Sequence, residues 1–322
     1  TLSKQIPQML LPHSVLIDYA LSCRLSQKEH VKLDFLCVGF TKCGTTALHR
    51  TLKKHPSIFL PAGKETLYAN WRHKYEDSPQ RLKDLYFSSI SPGQKVGDIE
   101  PTYFKRARMV YECFGPDVKL IFMLRNPVNA TYSYFKMMIR RTLNDQQINY
   151  YRKYHHYCPE MFADYLNDMI YSNKDTRFQY DKWIQEYLKF FPIEQMTFVF
   201  LEDLIHNPDQ TMTEIQEFIG LDSICHYQLP QVNKGDFVSR NYYCARINRK
   251  LLFLLRKLKQ KRISHYTLHL FYTFRKLIRT VTYIKNDDTL SETYRLELSD
   301  FYQPSIIHLE QLIDRNLQNI CH

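Results

Sequence analysis

Leu33-Asp34-Phe35-Leu36-Cys37-Val38-Gly39-Phe40-Thr41-Lys42-Cys43-Gly44-Thr45-Thr46 is the stretch from which the fold can be read. An apolar run, a loop bracketed by two glycines and a helical pattern follow one another, which reads as strand, tight turn and helix. That arrangement cradles phosphate. The first N–H groups of a helix lack partners within it, and the helix dipole favours an anion beside them. Glycine lets the main chain come close and adopt φ > 0, and Thr45 and Thr46 add hydroxyl donors. The spacing nearly fits the pattern G-x-x-x-x-G-K-[ST], with Gly39 and Gly44 in place. Thr45 stands where that pattern has its lysine, and the lysine lies inside the loop as Lys42. A lysine so far back does not reach a γ-phosphate; it reaches a group attached to the first phosphate. The displacement points away from an ATPase and towards a nucleotide that carries its cargo on the 5′-phosphate.

A second anion site follows. Val118 to Leu124 is a short apolar run of the kind found in buried parallel strands. It ends in Arg125-Asn126-Pro127, where Asn126 suits an N-cap and Pro127 the first helical position. Arg125 therefore lies at the carboxyl end of a strand beside a helix N-terminus, and Ser133 follows about two turns on. Arginine offers phosphate a planar fork. Two strand ends each presenting an anion site is the arrangement in which open α/β sheets bind ligands.

Phe40 to Leu48 and Arg125 to Phe135 resemble the two cofactor signatures of sulfotransferases that use 3′-phosphoadenosine 5′-phosphosulfate (PAPS). The resemblance continues through Gly97–Tyr103, Phe200–Pro208, Ile215–Leu221 and Asn233–Gly235, and then through Leu298–Pro304 and Leu309–Leu317. It covers the chain from Leu33 to the C-terminus. It is closest to the heparan-type and bacterial carbohydrate enzymes, because Ala47 stands where the cytosolic small-molecule enzymes usually carry tryptophan.

The resemblance implies a role for each matching position. Lys42 would neutralise charge on the leaving phosphate, and Cys43, Gly44, Thr45, Thr46 and Ala47 would cradle the 5′-phosphosulfate. Arg125 and Ser133 would hold the 3′-phosphate, and Lys234 and Gly235 would belong to a loop closing over the nucleotide. Glu65 matches the family's catalytic glutamate, with Asp98 and Glu100 as rivals for the base. Glu100 departs from the small hydroxyl usual there, and Lys64 is a candidate contact for the sulfonate or an acidic substrate. Sulfuryl transfer resembles phosphoryl transfer, in which positioning and charge stabilisation dominate. No Cys or His cluster has zinc spacing, and the implied reaction needs no metal. His155-His156 reads as surface or cleft lining.

The 322 residues are 44% hydrophobic, enough for one α/β unit with insertions. The expected fold is a P-loop-like, three-layer α/β domain whose mainly parallel sheet is flanked by helices. Strands are expected at 33–39, 57–60, 95–99, 118–124 and 196–201, and helices from Thr45, over 128–140, Lys182 to Phe191 and Thr211 to Ile219. Residues 1–30 read as a helical leader, and 141–178 as an aromatic, mostly helical insertion, all within a single domain over 1–322. Tyr150, Tyr151, Tyr154, Tyr157 and Phe162 in that insertion suit either sugar stacking or internal packing.

The formal charge of +11 is local: Arg249 to Lys285 holds eleven Lys or Arg and no Asp or Glu, leaving 33 basic and 33 acidic residues elsewhere. This segment reads as one or two amphipathic helices, since charges interrupt every apolar run short of a membrane span. It suits contact with an anionic membrane, an acidic polysaccharide, or a solvated helix face. The eight cysteines show no paired spacing, and a glycan on the sequon at Asn129 would obstruct the 3′-phosphate site. Both favour a reducing compartment: a cytoplasmic, bacterial-type enzyme, with the Golgi lumen as the alternative if an anchor precedes the chain. The implied partner is a glycan, with a lipid or small-molecule hydroxyl as the alternative acceptor and no nucleic acid. A nucleotide kinase, or a binding protein using its basic arm, are the competing readings.

Overall fold

Five buried runs form one parallel sheet: Phe35–Gly39 (β1), Ile58–Phe59 (β2), Lys95–Ile99 (β3), Lys119–Leu124 (β4) and Met196–Phe200 (β5), in the order β2-β3-β1-β4-β5. The computed structural model describes residues 32–61, 63–66, 87–141, 145–172, 176–222, 237–260, 265–286 and 288–317. The leader at 1–30 and the closing-loop residues Lys234 and Gly235 lie outside the described residues.

Every residue of β1 is buried, because both faces of the central strand are covered. Leu36 lies opposite Asp98 on one side and Leu120 on the other. The strand begins at Phe35 rather than Leu33. Asp34 instead accepts the Val96 amide on its carboxylate at 2.8 Å. From β1 the chain runs out to β2, returns to β3, crosses to β4 and ends at β5. The carboxyl ends of β1 and β4 therefore flank the point where the strand order reverses, the crevice in which such sheets hold ligands.

Thr45–Leu52 (α1) follows the first loop, and Ala107–Phe114 (α2) precedes β4. Pro127–Arg141 (α3) follows β4, with the Asn126 side chain accepting the Asn129 amide at 3.1 Å as its cap. Asp145–Tyr154 (α4) and Glu160–Ser172 (α5) lie within the aromatic insertion. Tyr150, Tyr151 and Phe162 are buried there, and the Phe162 ring packs 5.0 Å from that of Phe135 on α3. Internal packing, not sugar stacking, accounts for those three rings.

Tyr180–Leu188 (α6) starts two residues earlier than the Lys182 expectation. Leu201–His206 (α7) and Pro208–Ile219 (α8) follow β5, and Pro208 opens α8 ahead of the expected Thr211, since a missing N–H costs nothing at a first helical position. Phe237–Ser239 (β6) leads into Tyr242–Gln260 (α9) and His265–Thr282 (α10), and Tyr283–Lys285 (β7) returns to pair antiparallel with β6. A buried network secures the root of this hairpin: Asn248 donates to the Ser239 hydroxyl and accepts from Thr282, each at 3.1 Å. Glu292–Ile313 (α11) packs against α3 and α6.

Candidate active site

The loop after β1 is shaped by two left-handed residues. Gly44 has φ 85° and Lys42 φ 73°. The positive φ favours glycine at Gly44, and a Cβ there would also sit 2.6 Å from Leu201 Cδ1, which would have to shift. Ala47 and Leu48 donate their amides to the Gly44 carbonyl, at 2.8 and 3.1 Å, which starts α1 immediately after the loop. Thr45 is buried and Thr46 and Ala47 half-buried on that first turn.

Lys64 arrives from the segment after β2. Its ammonium donates to Thr45 Oγ1 at 2.9 Å and Thr46 Oγ1 at 3.3 Å, and lies 3.4 Å from Glu65 Oε1. A second lysine therefore stands at the first turn of α1. Glu65, held at φ 66°, keeps about half of its side chain (49%) in solvent.

Arg125, at the end of β4, donates from Nη1 to the Lys42 carbonyl at 3.3 Å. The two segments read from sequence as anion sites thus meet at the carboxyl ends of β1 and β4. Ser133 is half-buried on α3 beyond it. Lys42 is half-buried, and its ammonium is pushed down from 10.5 to about 8, by burial first and then by the positive charges of Arg140, Arg125 and Arg141. Like charge around a half-buried lysine disfavours its own charged form and favours an anion beside it.

Cys43 is buried, with Sγ 3.5 Å from the Tyr180 hydroxyl, and burial pushes its thiol up to about 12. It contributes its backbone and packing, not a thiolate.

The three candidate carboxylates cluster at the carboxyl end of β3. Asp98 is buried, accepts a short hydrogen bond from Thr66 Oγ1, and accepts the Ile99 amide at 2.7 Å. Burial raises it to about 6 against the pull of those donors. Glu100 is fully buried (0% exposed), accepts from Thr102 Oγ1 at 2.6 Å, and is raised by burial to about 7. Of the three, Glu65 is the one open to solvent, and Asp98 grips the residue next to it.

Sequence reasoning missed four contributors. Tyr180, fully enclosed on α6, donates to the Arg125 carbonyl at 2.9 Å and so ties the loop to the strand end. Glu202, on α7, accepts the Asn126 amide at 3.2 Å, and burial raises its carboxyl above the usual range. Arg140 and Arg141 close α3, where paired arginines read simply as complements to the helix dipole. Tyr180 carries no local signal, and Glu202 stands in Phe200–Pro208, a stretch marked only by its resemblance to the family.

Residues 32–246 match the family model described as "Sulfotransferase domain". Human heparan sulfate glucosamine 3-O-sulfotransferase 3B1 is 25% identical over 202 residues, covering 59% of this chain and 46% of that protein. The bifunctional heparan sulfate N-deacetylase/N-sulfotransferase of Drosophila melanogaster is 22% identical over 241 residues, covering 67% of this chain and 22% of its own length. The chain thus spans less than two thirds of the length of the curated relatives it matches, from 22% to 64%. The crystal structure of a sulfotransferase from Alicyclobacillus acidocaldarius superposes with a TM-score of 0.56 at 20% identity, covering 90% of this chain and 98% of that one, a likeness of fold.

Proposed function

The chain belongs to the sulfotransferase domain family, and from that membership we propose that it transfers a sulfuryl group from PAPS to a hydroxyl or amine of a carbohydrate. One observation supports the reading: the 3.3 Å hydrogen bond from Arg125 to the Lys42 carbonyl, which brings together the two elements we assign to the phosphates. The carbohydrate acceptor rests on the heparan sulfate relatives, whose printed names give their own substrate.

The donor fits the residues present. The positive charges of Arg125, Arg140 and Arg141 near Lys42 suit a group bearing a phosphosulfate at one end and a 3′-phosphate at the other. Lys42 and the first turn of α1, from Cys43 to Ala47, would hold the phosphosulfate, with Lys64 beside Thr45 and Thr46 as a second cation. Arg125 and Ser133 would hold the 3′-phosphate. PAPS supplies an activated sulfuryl group on a phosphate leaving group.

The protein's part is charge and position. The Lys42 ammonium, lowered to about 8 by burial and then by the neighbouring guanidiniums but still charged below that pH, offsets negative charge developing on the departing side. Glu65 takes the acceptor proton, being the exposed carboxylate of the three. Asp98 acts as a positioning residue through Thr66, the neighbour of Glu65.

The experiment is transfer from labelled PAPS to a panel of glycans, lipids and phenols, read by product mass. A sulfated glycan, lost with Lys42→Ala, is the expected result. Full activity of Lys42→Ala removes its assigned role, and a product only on lipids or phenols moves the acceptor class. Calorimetry separates a kinase: adenosine 3′,5′-bisphosphate should bind more tightly than ADP.

A further inference from the structure

The helical hairpin made by α9 and α10 wears its apolar stripe on the outside. In α10 the side chains of Leu270, Phe274, Leu277 and Val281 recur at i, i+4, i+7 and i+11, the spacing of a single helix face. Such a stripe normally packs on a core. Here these side chains are 51%, 52%, 65% and 65% exposed, while Thr282 is buried. α9 repeats the pattern: Ala245, Asn248 and Leu255 are buried, and Tyr243, Ile247 and Leu254 are exposed. The hairpin is firmly built, because Asn248 knits Ser239 to Thr282 and the Tyr283 hydroxyl donates to the Arg140 carbonyl at 3.0 Å. The exposure therefore belongs to helices anchored at their root, not to a loose end.

The charge pattern selects what covers the stripe. Exposed Arg246 and Lys250 stand among the outward apolar residues of α9, as Lys276 and Arg279 do in α10. Between Arg249 and Lys285 there is no acidic residue at all. A second copy of the chain docking face to face would set these cations against their own counterparts. No helix among the described residues is long and apolar enough to cross a membrane. Apolar side chains flanked by Lys and Arg, without acidic residues, match a helix lying in the plane of an anionic bilayer, with its apolar face below the headgroups.

We propose that the α9–α10 hairpin is an interfacial membrane-binding surface for anionic lipid. Its root is fixed to the Arg140 carbonyl on α3, and the charge of Arg140 is felt at Lys42. The inference stands on exposure and charge, and does not depend on sulfuryl transfer.

Vesicle co-sedimentation of the full chain tests it, using phosphatidylcholine alone and a mixture of about three parts phosphatidylcholine to one part phosphatidylglycerol. Binding to the mixture but not to the neutral vesicles, weakened by salt, is expected. The doubly substituted Phe274→Glu/Leu277→Glu protein should bind about tenfold less, with an unchanged thermal unfolding profile because both sites are exposed. Lys276→Gln/Arg279→Gln should also bind less, and should respond less to salt. Absence of binding by the wild type at low salt overturns the proposal, as does undiminished binding by Phe274→Glu/Leu277→Glu. A wild-type dimer that becomes monomeric in Phe274→Glu/Leu277→Glu, by light scattering, also overturns it and assigns the stripe to self-association.

Discussion

Arg125 Nη1 and the carbonyl oxygen of Lys42 lie 3.3 Å apart, joining the end of β4 to the loop after β1. Tyr180 reinforces the junction by donating to the Arg125 carbonyl at 2.9 Å, with Cys43 Sγ 3.5 Å from the same hydroxyl. The loop after β1 and the end of β4 are thus one assembly, and under the function proposed above a change at the junction would be felt at both ends of the donor.

Arg125→Lys tests that junction. Lysine keeps the charge but loses the fork that can hold the Lys42 carbonyl and a phosphate together. Affinity for adenosine 3′,5′-bisphosphate should fall about tenfold, in line with loss of a charge-assisted hydrogen bond. Calorimetry reads it. Wild-type affinity in Arg125→Lys would show that charge alone matters at this position.

A pH limb should belong to Lys42. Burial and the neighbouring guanidiniums lower its ammonium to about 8, so the cation is present below that pH and lost above it. The kcat/KM for the donor, which reports free-enzyme groups, should therefore fall as pH rises through about 8. Arg141→Gln removes one repelling charge and should move the limb upward. Lys42→Arg should abolish it, because guanidinium does not titrate in this range. A limb unchanged in both variants would belong to another group.

Local chemistry explains why some of this was legible in sequence. Gly44, Lys42 and the Asn126-Pro127 cap act within a few residues of themselves, so the loop and the start of α3 could be read from composition and spacing. The parallel sheet was equally open, since β1 and β4 must be apolar on both faces. Tyr180, Glu202 and Arg141 were not legible as site residues, because each reaches the cleft from a separate helix and nothing near it in the chain marks that destination. The solvent-facing stripe of α10 had the period of a core helix, and sequence periodicity does not say which way such a stripe points.

Gly44→Ala should cost stability and donor binding together. The φ of 85° is a left-handed torsion that costs an L side chain about 1–2 kcal/mol. The added methyl would also meet Leu201 Cδ1 at 2.6 Å. Leu201→Ala in the Gly44→Ala background relieves the contact but not the torsion, so stability should recover only in part. Denaturant unfolding with and without adenosine 3′,5′-bisphosphate checks this. Complete recovery would place the whole cost in the clash.

Glu65→Gln and Glu100→Gln should separate catalysis from folding. Losing an exposed base should lower kcat by about 10²–10⁴, so Glu65→Gln is expected to cripple turnover with little effect on Tm. Glu100 has no exposed surface, and burial raises its carboxyl from 4.5 to about 7. The folded chain therefore keeps a proton that the unfolded chain releases across that interval. Its stability falls as pH rises through the interval and stays lowered above it. Glutamine can still accept from Thr102, which now donates to Glu100 Oε1 at 2.6 Å, but it cannot ionise. Glu100→Gln should thus melt higher than the wild type at pH 8 and converge with it near pH 4, as followed by thermal unfolding across pH. A Glu100→Gln protein that loses turnover as deeply as Glu65→Gln, without gaining stability at high pH, would instead make Glu100 the base, reached only once the cleft has opened.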